Sequence, residues 1–368
     1  MPTYRKLLIN GRFLGAKPSG VQRVAHQFLL QLQHHADELD MLFDDGIAII
    51  APATVALIQN DSRLSLERSG RLRGQAWEQL DLPRQAAGGL LLNLCNVGPV
   101  ASRHAITMIH DAQVYTMPSS YSRPFRLWYR FVLPLLGRRN QQVLTVSNYS
   151  AQQLVDYGVA PADRITVIYN GVDHVCGFTP DRSVNCAHGL VPQGYVLALA
   201  STQYHKNISV LLRAFDSDKM GNIRLVLMGG EDAIDFAARG FAVPPNTVFA
   251  GKVTDGQMRA LMEDALCFAM PSLTEGFGLP PLEAMMLGCP ALLAPCGALP
   301  EVCGEAALYA DPHDADGWTH AMCRLRDEPG LREKLAASGR VQSEHFTWDA
   351  AGRRLVDTVK RFATPRST

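Results

Sequence analysis

The sequence predicts an α/β protein made of two domains, each a parallel sheet covered by helices on both faces. Three observations predict it. Short apolar runs, many rich in β-branched residues, alternate with helical patterns over nearly the whole length. There are twelve such runs, too many for one ordinary doubly wound sheet. A Gly- and Pro-rich stretch without apolar periodicity, 172–193, interrupts the series midway.

In chain order the first series is Lys6–Asn10, Ile47–Ala51, Leu90–Leu94, Ala105–His110, Val143–Ser147 and Ile165–Tyr169. The second is Tyr195–Ala200, Ile223–Met228, Thr247–Ala250, Cys267–Pro271, Pro290–Ala294 and Ala307–Ala310. Each is apolar on both faces, as strands buried between two helical layers must be. The interrupting stretch carries Gly177, Pro180, Gly189 and Pro192 and reads as a hinge, which sets Rossmann-like domains at 1–185 and 186–349. The last helix, Trp348–Phe362, has Ala351, Leu355, Val359 and Phe362 on one stripe that must be buried. Ala363–Thr368 reads as a frayed tail.

Composition narrows the function. With 368 residues, 47% hydrophobic and 19% charged, the chain is long and apolar enough for two cores. Lys plus Arg is 35 and Asp plus Glu is 35, and a chain with no basic excess is ill suited to neutralising nucleic-acid phosphates. The eight cysteines contain no C-x-x-C pair, against zinc-ribbon and thioredoxin-like chemistry. Leu7–Ile9 is too short for a signal-peptide core, and no run approaches the roughly 18 apolar residues of a membrane span. The expected setting is reducing and cytoplasmic.

The stretch 271–288, PSLTEGFGLPPLEAMMLG, carries the most chemistry. A strand ends at Met270 or Pro271, a loop with Gly276 and Gly278 follows, and a helix is expected to open at Pro280 or Pro281. Amides and the positive end of the helix dipole there suit an anion such as a diphosphate. Glu275 and Glu283 flank that position, Glu283 being expected in the first helical turn. Carboxylates beside a phosphate site do not bind the phosphate; they suit hydroxyls, as on a sugar and a ribose. Lys206-Asn207 follows the strand Tyr195–Ala200, and His110-Asp111 closes Ala105–His110, both at strand ends where open α/β sheets bind ligands. No D-x-D pair stands at a strand end, so no metal site is expected. Each residue also has a structural reading. Glu283 can complement a helix dipole, Asn207 can cap a helix, and His110 can be a satisfied core histidine. Ser147 and Ser150 read as helix-capping residues.

The pattern of Glu275 and Glu283 with GFGLP between them resembles the signature of family 4 retaining glycosyltransferases of the GT-B fold. Further matching pieces occur in order: Gly20-Val21-Gln22-Arg23, His110-Asp111, Val146-Ser147, Asn170-Gly171-Val172-Asp173, Lys206-Asn207, Leu299-Pro300-Glu301-Val302 and Phe346-Thr347-Trp348. The resemblance implies two Rossmann-like domains facing each other across a cleft that closes about the hinge, with the C-terminal helix (350–368) returning to the N-terminal domain. It implies that Glu283 holds the donor ribose and that Glu275, Gly276 and the backbone of Phe277, Gly278 and Leu279 grip the donor sugar. Lys206, beside Asn207, would neutralise the diphosphate, His110 would lie at the donor sugar, and Gly20 would let the N-terminal loop approach the diphosphate. The sequence departs from the family at Ala200, often Gly, and at His205, often Arg. Any help from a charged His205 would fall away above about pH 6.5.

The segments Asn93–Pro99 and 299–312 resemble bacterial enzymes of polysaccharide assembly. That implies GDP-mannose as donor ahead of UDP-hexoses, no cofactor beyond that nucleotide sugar, and a lipid-diphosphate-linked oligosaccharide as acceptor at the inner membrane face. The competing readings are a GT-B nucleotide-sugar epimerase and a non-catalytic partner subunit that binds a nucleotide or glycan. Arg123–Arg139 mixes five arginines with Phe125, Leu127, Trp128, Tyr129 and Phe131; it reads either as a helix lying on an anionic membrane or as one packed on the first sheet with a basic edge. Residues 1–185 hold 18 Lys and Arg against 14 Asp and Glu, 186–349 hold 12 against 20, and 350–368 hold 5 against 1. The acceptor half is therefore basic, as peripheral contact with an anionic leaflet requires.

Overall fold

All twelve runs form strands, being too apolar to be solvated and too short to make helices. The computed structural model describes residues 4–16, 19–55 and 64–363; Lys17, Pro18 and the tail beyond Ala363 lie outside the described residues. The first sheet joins β1 (Leu7–Asn10), β2 (Ile47–Pro52), β3 (Ser65–Ser69), β4 (Leu90–Asn93), β5 (Ala105–Met108), β6 (Gln142–Thr145) and β7 (Ile165–Val167) in the order β3-β2-β1-β4-β5-β6-β7. The second joins β8 (Tyr195–Leu199), β9 (Arg224–Met228), β10 (Thr247–Gly251), β11 (Cys267–Met270), β12 (Ala291–Leu293) and β13 (Leu308–Tyr309) in the order β10-β9-β8-β11-β12-β13. Every ladder is parallel. The thirteenth strand, β3, escaped the sequence search because it is a partly exposed edge strand with the polar sequence SLERS.

Strand order reverses once in each sheet. The chain leaves β1 for β2 and β3 on one side and returns to β4 on the other; β8 and β11 stand in the same relation. Such a reversal opens a crevice at the carboxyl ends of the two central strands, where open α/β sheets take their ligands.

The chain divides into two compact units, Met1–Gly171 with Trp348–Thr368, and Val172–Thr347. The first boundary falls earlier than the expected 185/186, because the stretch taken for a hinge is anchored on the second unit. The Val172 amide donates to the Phe346 carbonyl (2.9 Å), the Asp181 amide to Gly256 (3.0 Å), and Arg182 pairs with Asp264 (3.0 Å). Polar anchoring of this kind leaves no apolar period to read.

The last helix, Trp348–Lys360, belongs to the first unit. Ala351, Leu355, Val359 and Phe362 are all buried as the stripe required, and Trp348 packs edge-on against Phe28 of helix Gly20–His34. The helices meet so closely that a Cβ at Gly352 would lie 2.7 Å from the Gln31 Cβ. Fully burying Leu355 or Val359 contributes about 1.5–3 kcal/mol each, enough to hold the helix on that unit.

Of the cysteines, Cys267, Cys289 and Cys303 are buried, whereas Cys176 and Cys186 are exposed. Among the described residues no helix is long and apolar enough to cross a membrane.

Candidate active site

In the second unit the crevice between β8 and β11 is shaped by two loops. After β11 the chain runs from Pro271 through Gly278 into helix Leu279–Met286. Gly278 sits at φ 104°, a backbone conformation that L side chains rarely adopt, and a Cβ there would lie 2.6 Å from Leu299 Cδ2. Gly297, at φ 64°, lets the neighbouring loop come up against Glu275, where a Cβ would lie 2.4 Å from the Glu275 nitrogen. The Ala298 amide then donates to the Glu275 carbonyl (2.9 Å). After β8, the turn Tyr204–Lys206 is tied across by the Leu273 amide, which donates to the His205 carbonyl (2.7 Å). A small concavity between these strand ends is lined by Leu199, Lys206, Ile208, Met270, Pro271 and Ser272.

Across this crevice Lys206 Nζ reaches Glu275 Oε1 at 2.8 Å. Burial raises the affinity of Glu275 for a proton, but the adjacent ammonium and its hydrogen bond outweigh burial and hold the carboxyl below its ordinary range. The two residues are thus a preformed ion pair, an arrangement the sequence does not reveal. Asn207 is left-handed (φ 52°) and directs both amide hydrogens to protein carbonyls, Pro271 (3.1 Å) and Pro312 (2.7 Å). Its side chain therefore locks the Lys206 turn in place. Its carboxamide oxygen does not cap the following helix either.

Helix Leu279–Met286 opens one or two residues earlier than the expected Pro280 or Pro281, so Glu283 lies beyond its first turn and does not complement the dipole. Pro280 and Pro281 have no N–H, which leaves the amides of Gly278 and Leu279 as the donors at the helix mouth. Glu283 is buried, with Oε1 3.3 Å from Nε2 of an equally buried His174. The sequence reading missed His174, although it directly follows the Asn170-Gly171-Val172-Asp173 match. Phe277 is buried edge-on against Phe346, at 5.7 Å between ring centres, and fixes the loop that also carries Gly276.

His205 corrects an expectation. It is buried, and burial, reinforced by the Lys206 charge and opposed by Glu275, lowers its pKa to about 4. It is neutral at pH 6.5 and well below, so it is no second cation at neutral pH.

In the first unit His110 follows β5 and is buried. Its Nε2 lies 3.0 Å from the Leu94 carbonyl, and its backbone amide donates to Asn96 Oδ1 at 2.7 Å. A carbonyl only accepts, so Nε2 carries the proton and Nδ1 keeps its lone pair. Burial, only partly countered by the Leu94 bond, lowers the pKa to about 4. Gly20 opens helix Gly20–His34, and no described atom lies within 4 Å of the Cβ it lacks. Ser147 does cap a helix, accepting from the Ser150 amide (3.0 Å). The structure therefore gathers Lys206, Asn207, Glu275, Gly276, Phe277, Gly278, Leu279 and Glu283 at one end of the second unit, and places His110 and Gly20 in the first.

Comparison with known proteins decides the family. Residues 190–342 match the Glycosyl transferases group 1 family, and residues 84–175 match Glycosyltransferase Family 4. An MMP alpha-(1->4)-mannosyltransferase of Mycolicibacterium hassiacum is 31% identical over 294 residues, covering 75% of this chain and 69% of that protein. The chain belongs to the family 4 glycosyltransferases. This glycosyltransferase is also 29% identical to the O-antigen chain mannosyltransferase B of Escherichia coli over 303 residues, 78% of this chain and 77% of that one. Its fold matches that of a sucrose-phosphate synthase from Thermosynechococcus elongatus with a TM-score of 0.74 at 17% identity, over 97% and 98% of the two chains. The two-sheet GT-B fold of a glycosyltransferase is thus established for this chain.

Proposed function

We propose that this glycosyltransferase moves mannose from GDP-mannose, with retention at the anomeric carbon and without a metal ion, onto a lipid-diphosphate-linked oligosaccharide of bacterial surface polysaccharide. The observation that carries the donor assignment is the Lys206–Glu275 pair at the second sheet's strand reversal, beside the amides of Gly278 and Leu279. That crevice offers a cation and backbone donors for a diphosphate next to a carboxylate for sugar hydroxyls. Glu283, buried beside His174, is suited to ribose hydroxyls. Gly20, which no neighbouring side chain requires, suits a backbone that lets the diphosphate come close. Mannose as the sugar is supported by the mannosyltransferase names of the relatives.

In the reaction, the bond between the anomeric carbon and the phosphate oxygen breaks and its electron pair leaves with the diphosphate. The acceptor hydroxyl oxygen bonds to the same face of that carbon and loses its proton. Lys206 and the loop amides stabilise the charge that develops on the leaving group. His110, with a conjugate acid near pKa 4, is too weak a base to take the acceptor proton, which passes to a departing phosphate oxygen. The Nδ1 lone pair of His110 serves instead to accept from a hydroxyl of the donor sugar.

Incubation with a panel of GDP- and UDP-sugars, with and without a mannosylated acceptor and with chelator present, tests the reading. Release of GDP from GDP-mannose that depends on acceptor and survives chelation is the expected result. A changed free sugar nucleotide without acceptor, binding without turnover, or turnover abolished by chelator each rejects part of it.

A further inference from the structure

The first sheet has a strand reversal of its own, between β1 and β4, and apart from Gly20 the sequence reading placed no binding residue on the chain that leaves β1. The chain leaving β1 carries Arg12, whose Nε lies 2.9 Å from Glu78 Oε1. Glu78 is 1% exposed and stands in a π-helical turn, Trp77–Asp81, within the helical stretch 74–85. Such turns re-aim side chains and recur at functional sites. Here the turn drives a carboxylate inward under the end of β1. Asn10 donates to the same Glu78 oxygen (2.9 Å) and lies 2.9 Å from Asn93 Oδ1 of β4; Asn93 in turn donates to Thr107 of β5 (3.0 Å). The carboxylate is therefore anchored to three central strands.

The other end of Arg12 is open. Its side chain is about a quarter exposed, and among the described residues Nη1 and Nη2 have no acceptor. Tyr129 and Cys95 feel the charges of Arg12 and Glu78, and Tyr129 also feels Asp111, so these groups share one neighbourhood at the carboxyl edge of the sheet. Cys95 Sγ is 4.0 Å from the Val21 carbonyl, which places that neighbourhood beside the start of helix Gly20–His34. Burial pushes Glu78 above the ordinary carboxylate range, with Arg12 and Asn10 pulling it back.

We infer that Arg12, oriented by Glu78 as a positioning residue, binds the neutral sugar at the accepting end of the glycan, donating through Nη1 and Nη2 to two adjacent hydroxyl oxygens. The inference rests on the glycosyltransferase reading above. A guanidinium has donors in a fixed fork and no acceptor, which matches paired oxygens. The ligand is neutral because the Glu78 charge offsets that of Arg12 and Asp111 adds a further negative charge nearby, a poor setting for phosphate.

Saturation-transfer NMR on the whole chain with methyl α-mannopyranoside provides the test, with R12Q, R12K, E78Q and E275Q beside the wild type. The expected signal persists in E275Q, which removes a donor-site group, weakens about tenfold in R12Q and E78Q, and is partly kept in R12K. Steady-state kinetics should show the acceptor KM rising in E78Q while the donor KM stays unchanged; a purely structural Glu78 would lower the unfolding temperature without that split. Absence of wild-type signal, an undiminished signal in R12Q and E78Q, or tighter Arg12-dependent binding of mannose 6-phosphate than of the neutral glycoside overturns the inference. Failure of the glycosyltransferase reading looks different: the wild type would then transfer no sugar from any nucleotide donor.

Discussion

At the second sheet's reversal the Lys206 ammonium, 2.8 Å from the buried Glu275, holds that carboxyl below its ordinary range. Removing one partner leaves the other unpaired, which costs about 3–5 kcal/mol where the pair is buried, and somewhat less here because Lys206 is partly exposed. Lys206→Met should therefore lower the unfolding temperature and reduce kcat/KM by a factor of about 100 or more, since the leaving group loses its fixed cation. Retained kcat/KM in a folded Lys206→Met protein would remove Lys206 from the mechanism. The two buried histidines make a prediction of opposite chemical sense. His110 and His205 have folded pKa values lowered to about 4, against about 6.5 when unfolded. Between those values the unfolded chain binds more protons, so stability rises with pH across that window and is lost as pH falls from about 6.5 towards 4. The loss is on the order of 3 kcal/mol for a fully buried group. Thermal unfolding followed from pH 7 to 4 should show it, and His205→Asn should flatten the curve; an equal slope in that variant would mean that His205 is not buried in its neutral form. The sequence named Lys206 and Glu275 separately but could not pair them, because they are brought together only by the folding of two loops 69 positions apart.

Elements were legible where their physics is local. The twelve apolar strands and the buried stripe of the last helix could be read because burial on both faces, or on one stripe, leaves a pattern in consecutive residues. β3 could not, since an edge strand needs no apolar residues, and neither could the anchoring of 172–185, which is made of backbone and ion-pair contacts. The π-helical turn that turns Glu78 inward has no sequence signature either. The glycine loop lies between these cases: its glycines were visible, but which of them bears the conformational burden was not. Gly278 does, at φ 104° and with Leu299 close by. Gly278→Ala should cost about 1–3 kcal/mol through its backbone alone. It should also tilt the amides of Gly278 and Leu279, so the nucleotide-induced rise in unfolding temperature with GDP should shrink by more than the stability loss explains. An unchanged GDP shift would show that those amides do not meet the diphosphate.

On the scale of the whole molecule, the balanced charge conceals two opposite units. With the observed boundaries, the unit Met1–Gly171 with Trp348–Thr368 has 22 Lys and Arg against 14 Asp and Glu, and Val172–Thr347 has 13 against 21. The basic unit also displays helix Arg123–Arg139, which contains no acidic residue. Its inner face is packed tightly enough that a Cβ at Gly137 would lie 1.9 Å from the Val159 carbonyl oxygen. On its outer face Leu127 is 67% and Phe131 64% exposed, in a stripe with Arg123, Arg130 and Arg138. Among the described residues none of these arginines has a carboxylate partner. Leu127 and Phe131 leave apolar area in water, while the exposed arginines are solvated and Arg130 also lies over the Tyr115 ring at 5.4 Å. At an anionic bilayer each basic group would contribute about 1 kcal/mol and each buried apolar side chain about 1.5–3 kcal/mol. The proposed lipid-linked acceptor leads to the prediction that this surface binds an anionic phospholipid leaflet. Cosedimentation with phosphatidylglycerol vesicles should show binding that weakens with added salt. Binding should fall sharply in Leu127→Ser with Phe131→Ser, and in Arg123→Gln with Arg130→Gln, while transfer to a soluble acceptor stays unchanged. Binding indifferent to anionic lipid and to salt would reject the electrostatic half of the argument. Binding untouched by the Leu127 and Phe131 changes would move the contact away from this helix.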